Sequence, residues 1–339
     1  MLTIIIPTMN RSNFIVRMLE YYAKNDCNYQ IVIGDSSNSV HVEKTKAAVE
    51  EYKNELNIVY KTFPGLNVID CIREMNKLVS TPYVVLNCDD DLYIPNGLRQ
   101  CINFLEKNHD YVSVGGISIK YKLFTEGPHG KFVCCMRYKL PALDGETPSA
   151  RLIQFLEDYG VVMFNVHRFE AFKEMFPINS KTDDEGFDVE SLPCCISAIQ
   201  GKAKQLDTLF FLRQYHRERY MLSPYKEWYD GPTFKEKYER FRYFLAVALM
   251  KKENITISEA NHVIDRGFKL YIDKFYYIPK VRIQLALSYL YGLRYVLRII
   301  KDMSAYHSGP YSLPGLLNAS SKYHVDFIQA YDVISQSRG

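Results

Sequence analysis

Three consecutive carboxylates, Asp89, Asp90 and Asp91, closely follow a short apolar run over residues 83–86. The run is too short for a helix, is rich in β-prone residues and lies between two prolines, which predicts a buried parallel strand. Ligands of open α/β sheets bind at the carboxyl edge of the strands, where these carboxylates would then lie. Adjacent carboxylates repel one another unless a cation neutralises them. The pattern therefore favours a divalent metal site at the edge of a sheet.

A second interpretation of the aspartates is an acidic turn that caps the following helix, although capping requires one or two Asp residues and not three. The spacing excludes an EF-hand calcium loop, because the sixth position from Asp89 is Ile94 instead of glycine and the twelfth is Gln100 instead of glutamate. A glycine-rich phosphate loop does not fit either, since no glycine lies between Gly65 and Gly97.

Length and composition restrict the class of protein. A chain of 339 residues is long enough for one large domain with an appendage or for two domains. The net charge of +3 is near neutral, so we expect no nucleic-acid partner. The 27 tyrosines suit a surface that stacks on sugars or bases or that meets a partner, although packing at the edge of the core accounts for most of them.

The same features predict a cytoplasmic enzyme. The apolar run at the N-terminus has no basic segment before it and ends at Pro7, unlike a secretory signal. No window reaches the roughly 18 uncharged apolar residues of a membrane-spanning helix. The eight cysteines form no C-x-x-C pair and are interpreted as buried free thiols, with a zinc site at the two Cys-Cys pairs as the alternative.

Strand-like and helical runs alternate before the aspartates, which predicts an α/β fold with a mostly parallel, doubly wound sheet. The loop of residues 8–11, Asp35 and the aspartates would meet at the carboxyl edge of that sheet. The predicted strands cover residues 2–7, 30–34, 58–62 and 83–86, and the predicted helices cover residues 12–25, 40–54 and 66–79. After the aspartates, we expect strands over residues 111–115, 117–124 and 161–167, and a helix over residues 281–303 near the end of the helical region.

The motif Ile-Ile-Ile-Pro-Thr-Met-Asn-Arg over residues 4–11, Asp35 after the second strand, and Leu-Asn-Cys-Asp-Asp-Asp-Leu-Tyr-Ile-Pro over residues 86–95 resemble family-2 glycosyltransferases of the GT-A fold, of the bacterial surface-glycan class. The resemblance covers roughly residues 1–216. It implies a Rossmann-like sheet flanked by helices. It also implies a metal-dependent, inverting transfer of a sugar from a nucleotide diphosphate sugar, such as a UDP sugar, to a glycan, lipid-linked or protein acceptor.

The resemblance also assigns residues of the donor site. The first loop lines the nucleoside, and Asp35 accepts a hydrogen bond from the base. An arginine near the base or diphosphate is common in relatives, which points to Arg73 with Asp70, although a surface i,i+3 ion pair is the alternative. The first-loop residues so assigned are Pro7, Thr8, Asn10 and Arg11.

A divalent cation, Mn²⁺ or Mg²⁺, would neutralise the diphosphate leaving group, and one or two carboxylates suffice to hold it. The Asp-x-Asp spacing makes Asp91 the metal ligand and Asp89 the ribose ligand. Counting back from Pro95, as the family pattern does, favours Asp90 for the metal. Cys88 stands where many relatives have another aspartate.

Two residues of the last predicted strand region complete the donor site by resemblance. His216 occupies the place of a histidine that reaches the metal or diphosphate in relatives, and a neutral imidazole is a competent ligand. Arg213 is suited to bind diphosphate oxygens. A purely structural histidine is the alternative for His216.

An inverting transfer requires a carboxylate that takes the proton from the acceptor hydroxyl. Counted back from Gly201, the position of this base in relatives is Glu190, and Asp188 is the second choice. The alternative is that Asp188 or a neighbour forms the N-terminal cap of the following helix.

The predicted GT-A catalytic domain covers residues 1–232, and a helical C-terminal extension covers residues 233–339. Residues 125–148 are predicted to form an inserted loop, and residues 223–232 a lid around Trp228. The basic and aromatic part of the extension, residues 258–303, favours a cap on the catalytic domain or a homodimer, with peripheral contact to the inner face of a membrane as the alternative.

Two other functions remain open from the sequence. A sugar-nucleotide nucleotidyltransferase also uses a strand-end aspartate with magnesium, but residues 7–11 lack the glycine-rich loop expected of it. A catalytically inactive GT-A scaffold within a polysaccharide assembly complex is the third interpretation, and the intact aspartates argue against it.

Overall fold

A computed structural model describes residues 1–177, 182–217, 228–276 and 309–336. It has a mixed sheet with helices on its faces, as the sequence predicted. The strands are β1 (Leu2–Thr8), β2 (Gln30–Asp35), β3 (Asn57–Thr62), β4 (Tyr83–Leu86), β5 (Leu92–Tyr93), β6 (Tyr111–Leu123), β7 (Phe132–Tyr138), β8 (Val166–Arg168) and β9 (Lys202–Gln214).

The helices lie mostly between strands in the first part of the chain and follow them in the last. They are α1 (Ser12–Lys24), α2 (Ser39–Tyr52), α3 (Val68–Asn76), α4 (Pro95–Lys107), α5 (Pro148–Glu157), α6 (Phe169–Met175), α7 (Leu192–Gln200), α8 (Phe234–Lys252), α9 (Ile257–Tyr276), α10 (Leu313–Leu317) and α11 (His324–Ser335). A π-helical turn over Phe187–Ser191 opens α7.

The sheet has the strand order β3-β2-β1-β4-β8-β6-β9-β5, and β7 extends it beside β6. The half built from β3, β2, β1 and β4 is parallel, so its loops end at one edge. Strands β1, β2 and β4 are short apolar runs buried on both faces, as expected when helices cover both sides of a sheet, whereas β3 at the edge is partly exposed. Beyond β4 the pairing is mixed, because β8 runs antiparallel to both β4 and β6 while β9 runs parallel to β6.

Sequence capping signals explain where several helices begin. The side chain of Asn38 accepts a hydrogen bond from the backbone of His41 at the start of α2, and Asn67 caps α3 in the same way. Thr147 caps α5, which has Pro148 in its first turn. The caps at Asn38 and Asn67 hold the loops that follow the parallel strands β2 and β3 in place.

Three predictions about the middle of the chain were wrong. The two strands predicted around Gly115 and Gly116 form one continuous strand, β6. A Cβ added at either glycine would come within 2.6 Å of neighbouring atoms. The glycines are therefore explained by close packing and not by a turn. The segment predicted as an inserted loop, residues 125–148, contains β7, which pairs antiparallel with β6. The strand predicted over residues 161–167 begins as a 3₁₀ turn, and only β8 is extended.

The described helices after residue 233 pack on the rest of the protein and share its hydrophobic core. Lys274 of α9 pairs with Asp158 at 3.1 Å, and Asp326 of α11 accepts from Asn96 at 3.1 Å. The helix predicted over residues 281–303 and the first half of the lid predicted over residues 223–232 lie outside the described residues. None of the helices within the described ranges has the length and hydropathy needed to cross a bilayer.

Candidate active site

The aspartates lie between β4 and β5, at the carboxyl edge of the parallel half of the sheet, and all three are buried. The hydroxyl of Thr8, at the end of the neighbouring β1, donates to Asp89 Oδ2 at 2.8 Å. Arg11 Nη1 donates to Asp89 Oδ1 at 3.0 Å and to Asp90 Oδ2 at 2.9 Å. The structure thus brings the first loop and the aspartates together, because β1 and β4 are adjacent parallel strands.

Asp90 has the largest number of polar partners among the three aspartates. His216 Nε2 lies 2.8 Å from the same Oδ2 that Arg11 contacts, and the His216 ring stacks on Phe14. Arg17, which is fully buried on α1, donates to the backbone carbonyl of Asp90 at 2.7 Å. The predicted metal ligand His216 therefore contacts Asp90 directly. Its Nδ1 atom is buried and has no hydrogen-bond partner within the described residues.

Asp91 is held by the end of β9, where the backbone N–H of Gln214 donates to its Oδ1 at 2.8 Å. The ligand atoms of Cys88, Asp90 and Asp91 all lie within 4.8 Å of one another. Carboxylate oxygens suit hard divalent cations, and a thiol adds a softer donor. These three residues fit a divalent cation.

Burial and mutual repulsion shift the pKa values of the three aspartates. Burial and the charge of Asp90 raise the pKa of Asp89 to about 6. Burial and Asp90 also raise the pKa of Asp91 well above its ordinary value. Burial acts in the same direction on Asp90, but the hydrogen bond from His216 and the charge of Arg11 outweigh it and lower the pKa of Asp90. Without a further cation, the site therefore favours the charge of Asp90 over that of its neighbours.

The predicted nucleoside side of the site is built from the ends of β1 and β2. Thr8 and Asp35 are paired in register, and Asp35 accepts hydrogen bonds from Tyr60 Oη at 2.8 Å and Ser37 N at 2.9 Å. Asn10 has a positive φ of 59° and its backbone N–H donates to Ser37 Oγ at 2.7 Å. The two loops therefore hold each other in place. Sequence reasoning missed Ser37 and Tyr60, whose partners become visible only when β1, β2 and β3 are adjacent.

Pro7 was assigned to the first loop. It lies in β1 opposite Gly34 of β2, immediately before residues 8–11. Asp70 and Arg73 form an ion pair on α3 with a distance of 2.8 Å, which is the interaction that the alternative interpretation predicted. Arg73 also donates to the carbonyl of Pro177 at 2.7 Å. Its guanidinium thereby fastens α3 to the chain that follows α6.

Arg213 of β9 lies between the aspartates and the second predicted acidic stretch. Its Nη1 donates to Tyr138 Oη at 3.0 Å, and its guanidinium lies over the ring of Phe164. Burial opposes the charge of Arg213, but the interactions with Tyr138, Asp91 and Glu190 raise its pKa. Arg213 thus interacts electrostatically with both a candidate metal ligand and the candidate base.

Glu190 lies on the π-helical turn that opens α7, and it is partly exposed. Its Oε1 accepts a 2.6 Å hydrogen bond from Tyr159 Oη. Asp188, the second choice for the base, accepts hydrogen bonds from the backbone N–H of Thr182 at 3.0 Å and from its hydroxyl at 2.9 Å. Asp188 therefore closes the loop before the helix, and the bond to a helical N–H that the alternative predicted is made by its neighbour Asp184. Both oxygens of Asp188 accept hydrogen bonds, whereas among the described residues only Oε1 of Glu190 does.

A residue that the sequence did not single out, Asp184, supports this turn. Asp184 Oδ1 accepts from the backbone N–H of Phe187 at 3.1 Å and from Trp228 Nε1 at 2.8 Å. Its Oδ2 pairs with Lys237 of α8 at 3.2 Å. The ring of Phe187 stacks on Phe241 of the same helix. A run of acidic residues before a helix indicates an N-terminal cap, but the sequence did not indicate which of these residues would form it.

A model of the protein family described as glycosyl transferase family 2 matches residues 3–176, which is just over half of the chain. The chain belongs to this family. The resemblance to family-2 glycosyltransferases is therefore confirmed, and the protein is a glycosyltransferase. Comparison with curated proteins finds no significant match.

Solved structures of TarS from S. aureus have the same fold as this family-2 glycosyltransferase. TarS residues 1–349 in complex with UDP-GlcNAc superposes with a TM-score of 0.54 at 16% identity, over 82% of this chain and 74% of that chain. A second structure of the same TarS fragment gives a TM-score of 0.52 at 14% identity, over 81% and 72%. A longer TarS chain gives 0.51 at 15% identity, and 44% of its length is covered. At this identity the similarity establishes the fold alone, which confirms the predicted GT-A class.

Proposed function

We propose that this glycosyltransferase moves a sugar from a nucleotide diphosphate sugar to an acceptor hydroxyl, with inversion at the anomeric carbon and with the help of a divalent cation, Mn²⁺ or Mg²⁺. The observation that carries the proposal is the joining of Thr8 and Arg11 to the buried aspartates at the carboxyl edge of the sheet. A divalent cation held by these carboxylates would attract the anionic diphosphate of the donor to this edge of the sheet.

The first loop and the end of β2 would bind the nucleoside. Asp35 offers carboxylate oxygens to the base, and Thr8 and Asn10 shape the adjoining loop. Asp89, which Thr8 and Arg11 orient, is assigned to the ribose hydroxyls. Asp70 and Arg73 would form the outer part of this nucleoside site. The donor that we propose is UDP-linked, and the structural similarity to TarS in complex with UDP-GlcNAc supports this choice.

Asp90 and Asp91 would hold the divalent cation, with Cys88 near them and His216 bonded to Asp90. When bound, the cation would stabilise the negative charge that develops on the diphosphate as the glycosidic bond breaks. Arg213 lies beside Asp91 and can neutralise part of the same charge, since guanidinium groups bind phosphate oxygens well.

Glu190 would act as the general base. Its carboxylate takes the proton of the acceptor hydroxyl while the acceptor oxygen forms a bond to the anomeric carbon and the nucleotide diphosphate departs with the electrons of the broken bond. Tyr159 donates to one oxygen of Glu190, so the carboxylate has a fixed orientation. The acceptor would be a glycan, a lipid-linked sugar or a protein hydroxyl, as in polysaccharide biosynthesis.

We also propose a cytoplasmic location and a division into a GT-A catalytic domain (1–232) and a helical extension (233–339). Residues 258–303 of the extension would supply a homodimer contact or a peripheral contact with the inner face of the membrane. The packing of α9 on α5 supports the role of this extension as a cap.

A thermal-shift experiment tests the proposal. Nucleotides and nucleotide sugars are added to the wild type and to Asp91→Ala, with and without Mn²⁺, and exposed Asp273→Ala on α9 serves as the matched control. We expect UDP and UDP sugars to raise the melting temperature of the wild type and the control in a metal-dependent way, and not that of Asp91→Ala. If no nucleotide diphosphate stabilises the wild type with metal, the proposed function is wrong. Pyrophosphate release from a nucleoside triphosphate would instead support a nucleotidyltransferase.

A further inference from the structure

Cys88 differs from the other cysteines of the chain. The remaining seven are buried, whereas Cys88 is partly exposed at the carboxyl edge of the sheet. Its Sγ has no hydrogen-bond partner among the described residues, although it lies within 4.8 Å of carboxylate oxygens of both Asp90 and Asp91. A thiol packed for its volume alone is usually buried in apolar surroundings. The position of Cys88 therefore suggests a chemical role.

The two neighbouring carboxylates are already oriented by other groups. His216 and Arg11 contact Asp90 Oδ2, and the backbone N–H of Gln214 contacts Asp91 Oδ1. Such supporting hydrogen bonds fix the direction of metal ligands in protein sites. The cluster thus consists of two oriented carboxylates and one thiol that has no competing partner in the described part of the chain.

The distances also suit a single ion. Zinc binds thiolate sulfur at about 2.3 Å and carboxylate oxygen at about 2.0–2.2 Å, so two ligands of a tetrahedral zinc ion lie roughly 3.5 Å apart. The three ligand atoms of the cluster lie within 4.8 Å of one another, so a bound ion would draw them closer together.

We propose that Cys88 is a direct ligand of the divalent cation at the donor site, which makes this a thiolate–dicarboxylate site that binds Mn²⁺, Co²⁺ or Zn²⁺ in preference to Mg²⁺. Thiolates favour borderline and soft cations, whereas an all-oxygen site suits Mg²⁺. Binding releases the thiol proton to solvent as the sulfur–metal bond forms. The inference rests on the proposed function for what the cation serves, but not for its ligands.

Cobalt titration of the full chain, stripped of metal with a chelator, tests the ligand assignment. A thiolate bound to Co²⁺ gives a charge-transfer band in the near ultraviolet, and we expect this band in the wild type. Cys88→Ser should lose the band and bind Zn²⁺ more weakly. Loss of a residue that only hydrogen-bonds to a metal ligand weakens binding by about 10–100-fold, so we expect at least this loss for a direct ligand. The control is Cys101→Ala, at a buried position of α4, and it should keep both properties.

Two further measurements test the proposal even if Cys88→Ser does not fold. Cys88→Asp should restore binding of one cation but shift its preference toward Mg²⁺. In the wild type, bound Zn²⁺ should protect Cys88 from alkylation, as read by peptide mass spectrometry. Cobalt binding without the charge-transfer band, a band that survives Cys88→Ser, or alkylation of Cys88 unaffected by metal would each overturn the proposal.

The two proposals can fail separately. Stabilisation by UDP sugars without a thiolate band would leave the transferase function standing and remove Cys88 from the metal site. A thiolate band that depends on Cys88, without stabilisation by any nucleotide or nucleotide sugar, would leave the metal site standing and overturn the donor assignment.

Discussion

The hydroxyl of Tyr159 donates a 2.6 Å hydrogen bond to Oε1 of Glu190 and leaves Oε2 without a partner among the described residues. The ring of Tyr159 is itself packed against Phe155 of α5 and Tyr271 of α9. One oxygen of the carboxylate is thus fixed by the protein, and the other can receive a proton.

Replacing Glu190 with Gln removes this proton acceptor and keeps the size of the side chain. We expect transfer from a UDP sugar to fall by about 10²–10⁴-fold, the usual contribution of a general base. Binding of UDP, measured by calorimetry, should stay close to that of the wild type. The matched change Asp188→Asn should lower the melting temperature through the loop at Thr182 while transfer is largely kept. Full activity in Glu190→Gln would show that the base lies elsewhere.

Asp184 links the turn that carries Glu190 to α8 through Lys237 and Trp228. Asp184→Ala should slow transfer and lower stability, because it removes a cap worth about 0.5–2 kcal/mol and leaves a partly buried lysine without this carboxylate. Asp184→Asn keeps a side-chain oxygen that can accept from Phe187 N, so we expect a smaller loss of stability. Urea unfolding and initial rates measure the two effects. Equal stability of both variants would mean that the capping bond contributes little.

Arg17 is fully buried and donates to the carbonyls of Asp90 and Pro128 and to the side chain of Gln214. Arg17→Met should cost about 1–3 kcal/mol for each buried acceptor that is left unsatisfied. It should also weaken the metal-dependent stabilisation by UDP, since Asp90 loses a support. Arg240→Met, at a surface ion pair, is the control and should leave the urea midpoint nearly unchanged. A wild-type midpoint in Arg17→Met would contradict this role.

His167 of β8 is fully buried, and burial lowers its pKa to about 4. Between pH 4 and the ordinary histidine pKa near 6.5, the unfolded chain therefore binds a proton that the folded protein does not. The free energy of unfolding should fall as the pH is lowered through this window, by up to about 3 kcal/mol. His167→Gln can still donate to Val162 O and should flatten the decrease. Urea unfolding at several pH values measures it, and parallel curves would exclude His167 as the cause.

The sequence predicted the parallel half of the sheet well because apolar runs and their punctuating residues are local signals. The convergence of Thr8, Arg11 and the aspartates followed from one rule, that adjacent parallel strands end at the same edge. The placement of β7 was missed because its turn-rich flanks have the composition of a loop, and pairing with β6 decides its conformation.

The support around Glu190 was not predictable for a different reason. Asp184 and Tyr159 are distant in sequence from their partners Trp228 and Tyr271, and no local pattern links them. The same holds for Tyr60, whose hydroxyl reaches Asp35 only because β2 and β3 are neighbours. Sequence spacing indicates which carboxylates can react, but tertiary packing decides which of them remain free to do so.

The turn that receives a hydrogen bond from Arg17 is completed by α11. Gly130 N donates to the carbonyl of Ile334 at 2.9 Å, and His129 Nδ1 lies 3.0 Å from the carbonyl of Val333. During synthesis on the ribosome, the aspartates that we assign to the donor site emerge first, and α11 emerges more than 200 residues later. A nascent chain therefore carries its aspartates long before the turn beside Arg17 gains its final backbone contacts.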